Sequence, residues 1–461
     1  MFNTLPDGYV FGDLIQFPGP AGGHVASGLW IEMPDMQTAS FAQRNQTQGI
    51  IALILCMLPE KWSLQIIEFQ DSGDGLRILE YERETERCAN PAARLLRNAN
   101  FISLSQRRER HELRCVRVAV FFGCPLSPET TSWLRQPSER EYAHLLSEAR
   151  TAFAQFKQTV HQSLEPIGGR AIPLTEADHV RLWANTLNPS FTERFSYDPK
   201  THFDPERSLL ENFWHSELRG LGRQGFVLDG WLHLAFTLKR LPTETYPTII
   251  HHLVHLPFGD FTITVHVRRL DKEIVLKRLR PALDRIHQQQ TQKPDVRLAV
   301  AQAQMDDKVR RLASGEGVPF EIEFIVIVRA RTPEELAAKA AAVKSANQAM
   351  NGAQYYEATL PATSRQLFAK TMPGWMWSRH SGFRQYAEDR STADLLPCSG
   401  SFGGHPGPTD CLFPGADANL VNLVNFLGEG SGVTPQNLII VGAIGTGKSM
   451  VLQKILFETS A

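Results

Sequence analysis

The sequence predicts α+β domains followed by the opening strand, loop and helix of an α/β domain. Three observations predict it. Apolar residues recur at helical spacing in some segments and in short strand-like runs in others. The length of 461 residues corresponds to about three structural units. Near the end, an aliphatic run leads straight into a glycine-rich loop. The units expected are residues 1–168, an amino-terminal α+β domain; 169–396, a second mixed α/β domain; and 397–461, a linker and the start of the third.

In the first unit, Ser40 to Leu58 is predicted helical, ending near Pro59, and Trp62 to Phe69 (WSLQIIEF) is a strand. A second strand is expected at Val116 to Gly123, bounded by the turn signal Cys-Pro-Leu-Ser-Pro. From Glu139 to Leu164, Tyr142, Leu145, Leu146, Ala149, Phe153, Phe156 and Val160 follow the three-four spacing of an amphipathic helix, which Pro166 and Gly168-Gly169 end. In the second unit, Thr175 caps a helix ending near Asn188-Pro189. Strands are expected at Trp231 to Lys239, Asp260 to Arg268 and Phe320 to Ala330. Helices are expected at Lys272 to Gln288, Asp295 to Ala313 and Thr332 to Met350, the last opened by Thr-Pro-Glu-Glu. After Pro397, CSGSFGGHPGPTD is an irregular linker, and Leu438 to Val441 is a buried strand.

Composition excludes the unusual classes. Apolar content of 42%, charged content of 21% and a formal net charge of −1 describe an ordinary globular chain, with no charge-based case for a nucleic-acid partner. The basic run Arg107 to Arg117 (RRERHELRCVR) is interrupted by Glu109 and Glu112 and is taken as a solvated helix end or strand edge. Six cysteines without a CxxC pair fit a reducing cytoplasm. The first 25 residues lack the features of a signal peptide. The longest apolar run, Gly49 to Leu58, has ten residues, against roughly 20 for a bilayer span, so no transmembrane segment is expected.

Chemistry is carried by Gly442-Ala443-Ile444-Gly445-Thr446-Gly447-Lys448-Ser449, which satisfies the Walker A pattern G-x-x-x-x-G-K-[ST]. Successive backbone N–H groups wrap a triphosphate only where side-chain bulk is small and φ is permissive. The helix that follows, Lys448 to Phe457, adds unsatisfied donors and a positive dipole end. Lys448 is expected to reach the β- and γ-phosphates of ATP as the catalytic cation, and the Ser449 hydroxyl to take one position on Mg²⁺. Val451, Leu452, Ile455 and Leu456 supply the apolar period of that helix. Turnover also needs an acid to hold Mg²⁺ and a group to orient water. Only 12 residues follow Ser449, so the expectation is a chain truncated just after the loop that binds nucleotide poorly and does not hydrolyse it alone.

Other groupings are weighed against plainer roles. His251 and His255 could share a helix face and a metal, but are taken as polar residues packed near the sheet. Glu321 and Glu323 share one face of a strand and are taken as solvated. Pro373-Gly374-Trp375-Met376-Trp377 is taken as a packed corner rather than a base-stacking site.

The order of these pieces resembles the conjugative-transfer ATPases that energise type IV secretion, the TraC-like family. The likeness is carried by GLWIEMP, ALILCMLP and WSLQIIEF with its Leu64-Gln65 pair; by PLTEADHVRLWANTLNPS, HLAFTLKRLP and TITVHVRRLD; and by the approach from ADLLPCSGSFGG to NLIIVGAIGTGKS. The resemblance implies a RecA-like P-loop domain at the end of the chain. It also implies a cytoplasmic ATPase peripheral to the inner membrane, docked on inner-membrane secretion complex proteins and homo-hexameric when full length. Such a protein couples ATP hydrolysis to pilus assembly or substrate transfer. Residue by residue, only Gly442 to Ser449 carry over. Two other classes stay open: a non-catalytic scaffold docking on the secretion complex, and a DNA-translocating P-loop motor.

Overall fold

The computed structural model describes residues 5–19, 23–34, 36, 39–72, 75–126, 138–193, 198–292, 296–376, 382–398, 403–404, 409, 411–415, 418–424, 440 and 448–459. The first part of the chain forms β1 (Tyr9–Phe11), β2 (Leu14–Phe17), β3 (His24–Glu32), α1 (Phe41–Cys56), β4 (Ser63–Ser72), α2 (Gly75–Arg87), α3 (Pro91–Glu109), β5 (Arg114–Pro125), α4 (Glu139–Leu164), β6 (Arg170–Pro173) and α5 (Glu176–Leu187). The middle forms α6 (Leu209–Phe213), β7 (Arg219–Gly220), β8 (Phe226–Leu228), β9 (Trp231–Arg240), α7 (His251–Val254), β10 (Phe261–Arg269), α8 (Lys272–Gln292), α9 (Val296–Ser314) and β11 (Pro319–Ala330). The remainder forms α10 (Pro333–Gln348), β12 (Gln354–Ala358), α11 (Pro361–Lys370), β13 (Gln385–Glu388), α12 (Asp389–Asp394), β14 (Cys411–Pro414), β15 (Leu420–Leu423) and α13 (Lys448–Thr459).

Local chemistry accounts for the helix starts. Ser40 with Gln43, Ser138 with Glu141, and Thr175 with Asp178 each form a reciprocal capping box at α1, α4 and α5. Thr332 caps α10, with Pro333 in its first turn.

Ten strands follow the order β1-β2-β3-β5-β4-β10-β11-β9-β8-β7, and β6, β12 and β13 pair beside β3, β9 and β11. The pairings are antiparallel throughout. The boundary expected at residues 168/169 therefore falls inside one sheet, because β4 of the first unit pairs with β10 of the second, Gln65 opposite His266. Helices cover both faces. On one, Leu64, Ile66, Val265 and Phe324 join Leu55 of α1, Phe153 of α4 and Val343 of α10. On the other, Ile67, Phe121 and Ile325 join Trp183 of α5, Phe213 of α6 and Phe368 of α11. Burial on both sides explains why strands such as β11 read as nearly continuous apolar runs despite antiparallel pairing.

Two expectations about charge are corrected. Arg108 and Arg114, in the run taken as solvated, are both buried. Arg114 donates to the carbonyls of Leu256 (2.8 Å) and Val254 (3.0 Å), so this basic residue ties β5 to the end of α7 and the segment after it. Glu323, also taken as solvated, is 4% exposed. Lys370 at the end of α11 lies over it, Nζ to Oε1 2.6 Å, and Arg384 pairs with Glu321 at 3.1 Å. A sheet face that is apolar at its centre and ionic at one end is invisible to a period-two pattern.

Candidate functional site

Gly442, Ala443, Ile444, Gly445, Thr446 and Gly447 lie outside the described residues, as does the strand expected at Leu438 to Val441 apart from Ile440. Lys448 and Ser449 are the first two residues of α13. Lys448 is half-buried and Ser449 exposed. The first turn of α13 holds no acidic residue, so no carboxylate of the helix itself competes there for the donors that a phosphate would use. Those two side chains, at a helix start without an acid in its first turn, are compatible with a triphosphate. Among the described residues no group of three or more His, Cys, Asp or Glu is placed to hold a metal ion.

The seat of α13 is the part that sequence reasoning missed. It packs on α3 and on the β14–β15 hairpin. Ile455 is buried, and Lys454 donates to the Leu412 carbonyl at 2.7 Å with its ammonium 4.0 Å from the Phe413 ring centre. Glu458, 2% exposed, sits beside Tyr81 and Arg97. Burial pushes its carboxyl above the usual range, only partly offset by Lys454 and by a hydrogen bond with Tyr81. Burial, followed by the charge of Glu458, raises the Tyr81 phenol. The hairpin is clamped in turn by Arg77, which donates to the Leu420 and Gly403 carbonyls at 2.8 and 2.9 Å, and by Asn100, which donates to Leu412 at 3.1 Å. Arg97 reaches the Thr409 carbonyl at 3.0 Å and lies over the Tyr81 ring. The sequence signal for α3 was present in Asn90-Pro91, an N-cap followed by proline in the first turn.

Of the apolar residues expected to bury one face of this helix, only Ile455 is buried; Val451 is half-buried, while Leu452 and Leu456 are exposed alongside Met450 and Phe457. The other candidate groups separate clearly. The rings of His251 and His255 lie with centres 4.3 Å apart, tilted by 49°, at the start and the C-cap of the short α7. Trp375 packs against Phe17 and His24, and the Pro373 carbonyl accepts from Trp183 Nε1 at 3.0 Å, so this segment is a packed corner; Trp377 lies outside the described residues. Gln65 fastens that corner to the sheet, donating to the Lys370 and Met372 carbonyls at 3.1 and 3.0 Å and accepting from Gly374 N–H at 2.7 Å. None of the six cysteines forms a disulfide among the described residues. No described helix is long and apolar enough to cross a membrane.

The chain matches no protein family, and no curated protein matches it.

Proposed function

We propose that residues 442–449 bind the phosphates of ATP and that the chain is the ATP-binding component of a conjugative-transfer or type IV secretion machine. The observation that carries this reading is the junction itself: a G-x-x-x-x-G-K-S loop whose lysine and serine open a helix with no acidic residue in its first turn. In this reading Lys448 contacts the β- and γ-phosphates, the amides of the loop wrap them, and Ser449 holds Mg²⁺. The bound ion supplies charge neutralisation between the phosphates. The resemblance to the TraC-like ATPases extends the proposal to a hexamer docked on inner-membrane secretion proteins.

The test is equilibrium binding of ATP with Mg²⁺ by the full chain, beside Lys448→Ala. Loss of about tenfold or more in affinity is expected, the scale of a charge-assisted phosphate contact. Equal affinity in the two proteins overturns the assignment. A docking scaffold is the second reading, favoured because the described residues of the two cores of the helix-covered sheet all lie in the first 398 positions. It gains if Lys448→Ala keeps full capture of the inner-membrane complex while nucleotide affinity proves absent in both proteins.

A further inference from the structure

At one end of the central strands, the polar row of the sheet borders a cavity of about 330 Å³, within the range of small-molecule sites, roughly 300–1,000 Å³. Its floor is two ladder rows across β4, β10 and β11: His266 opposite Glu323, then Ser63, Arg268 and Glu321. Trp375 and Met376 form the apolar side of its roof, and Lys370 and Arg384 the charged side. We propose that this cavity binds a small organic anion, a flat apolar body carrying a phosphate or carboxylate group.

Four independent features point there. Four cations line the cavity, Lys61, Arg268, Lys370 and Arg384, against two carboxylates, Glu321 and Glu323. Two of the cations are committed to those carboxylates at 2.6 and 3.1 Å. The lining therefore holds more cations than carboxylates, with Lys61 and Arg268 both exposed, and low-dielectric walls focus the field on an entering anion. His24, 5% exposed, has its Nε2 without a partner among the described residues. A buried polar atom left in that state calls for a reason, and a ligand in the cavity it lines provides one. Lys61 holds φ at +73°, a left-handed conformation that glycine or asparagine adopts more easily and that clusters at functional sites. At Gly123, finally, a Cβ would stand 2.6 Å from Met376 Cε and 2.7 Å from the Val25 carbonyl. The missing side chain is what lets the thioether lie across the end of β5. Trp375, fixed against Phe17 and the His24 ring at 5.2 and 4.9 Å between centres, then offers a rigid surface for a planar group.

Phenyl phosphate is the probe, titrated calorimetrically into the full chain beside phenol and inorganic phosphate. One molecule is expected to bind per chain, about tenfold or more tighter than either half alone. Arg268→Gln and Lys61→Asn, both on the surface and the latter suited to positive φ, are each expected to weaken it by about tenfold. Lys448→Ala is expected to leave it unchanged, which separates this cavity from the phosphate loop. Absence of binding up to roughly 10 mM, unchanged affinity in both cavity variants, inorganic phosphate binding as tightly as the probe, or loss through Lys448→Ala would each overturn the proposal.

Discussion

Replacing Glu68 by glutamine should remove a pH dependence of stability that runs against the acid sensitivity usual for carboxylates. Glu68 is fully buried on β4, with one oxygen accepting from Gln70 Nε2 and the other without a partner among the described residues. Burial pushes the carboxyl up from 4.5 to about 8, against the opposing Gln70 hydrogen bond and the charge of Arg114. The folded state thus keeps a proton that the unfolded chain releases above its ordinary value. Stability from this group is full below that value and declines as pH rises toward about 8, at ~1.4 kcal/mol per pH unit. Between about pH 5.5 and about pH 7.5 the wild type should lose ~2.7 kcal/mol that Glu68→Gln does not lose. The four imidazoles of His24, His179, His233 and His266 are held neutral by burial, pushed down to between about 3 and about 4. They add stability as pH rises toward their unfolded value, but equally in both proteins, so the difference isolates Glu68. Urea unfolding followed by tryptophan fluorescence at the two pH values provides the measurement. A difference between the proteins that stays constant with pH would refute the reasoning.

Two further outcomes test the packing. Gly225 has φ +92°, and a Cβ there would fall 2.0 Å from the His233 carbonyl oxygen; Gly225→Ala should cost more than about 2 kcal/mol, seen as a lower melting temperature. Arg329 Nη2 meets Asp71 Oδ1 at 2.8 Å with both side chains nearly buried, and Arg329→Met should cost ~3–5 kcal/mol in chemical denaturation. The same variant should also lessen acid sensitivity. Burial opposes the Asp71 charge, but Arg329 and Arg117 outweigh it and hold the carboxyl below its usual range, a stabilisation lost as pH falls through that range.

Much of the secondary structure was legible because it is written locally. The period of α4 and the caps of α5 and α10 specify helices whatever surrounds them. The pairing of those elements was not legible. Nothing near Gln65 announces that its neighbour in the sheet is His266, or that its amide will fasten residues 370–374. Charged residues were misjudged for the same reason. Arg114 and Glu323 are buried by partners remote in sequence, Leu256 and Lys370, so neither burial nor ion pairing follows from the segment alone. The proposed nucleotide loop was the reverse case, a pattern complete within its own eight residues, of which Lys448 and Ser449 have described positions at the start of α13. Its seat combines α3, about 340 positions earlier, with a hairpin only a few dozen residues before it, and nothing in either segment announces that they meet α13.

The central pairing of the sheet also sets a timetable. Gln70 on β4 finds its partner in Phe261, about 190 residues later, which at roughly 5–20 residues per second is ~10–40 s of ribosome time. Through that interval β4 stands as an open edge, its backbone donors and acceptors on one side unspent and its Ile67 and Phe69 lacking the later elements that cover them. The nascent chain therefore carries its most association-prone surface before it owns the means to close it, and shielding of that edge during translation becomes a requirement of the topology itself.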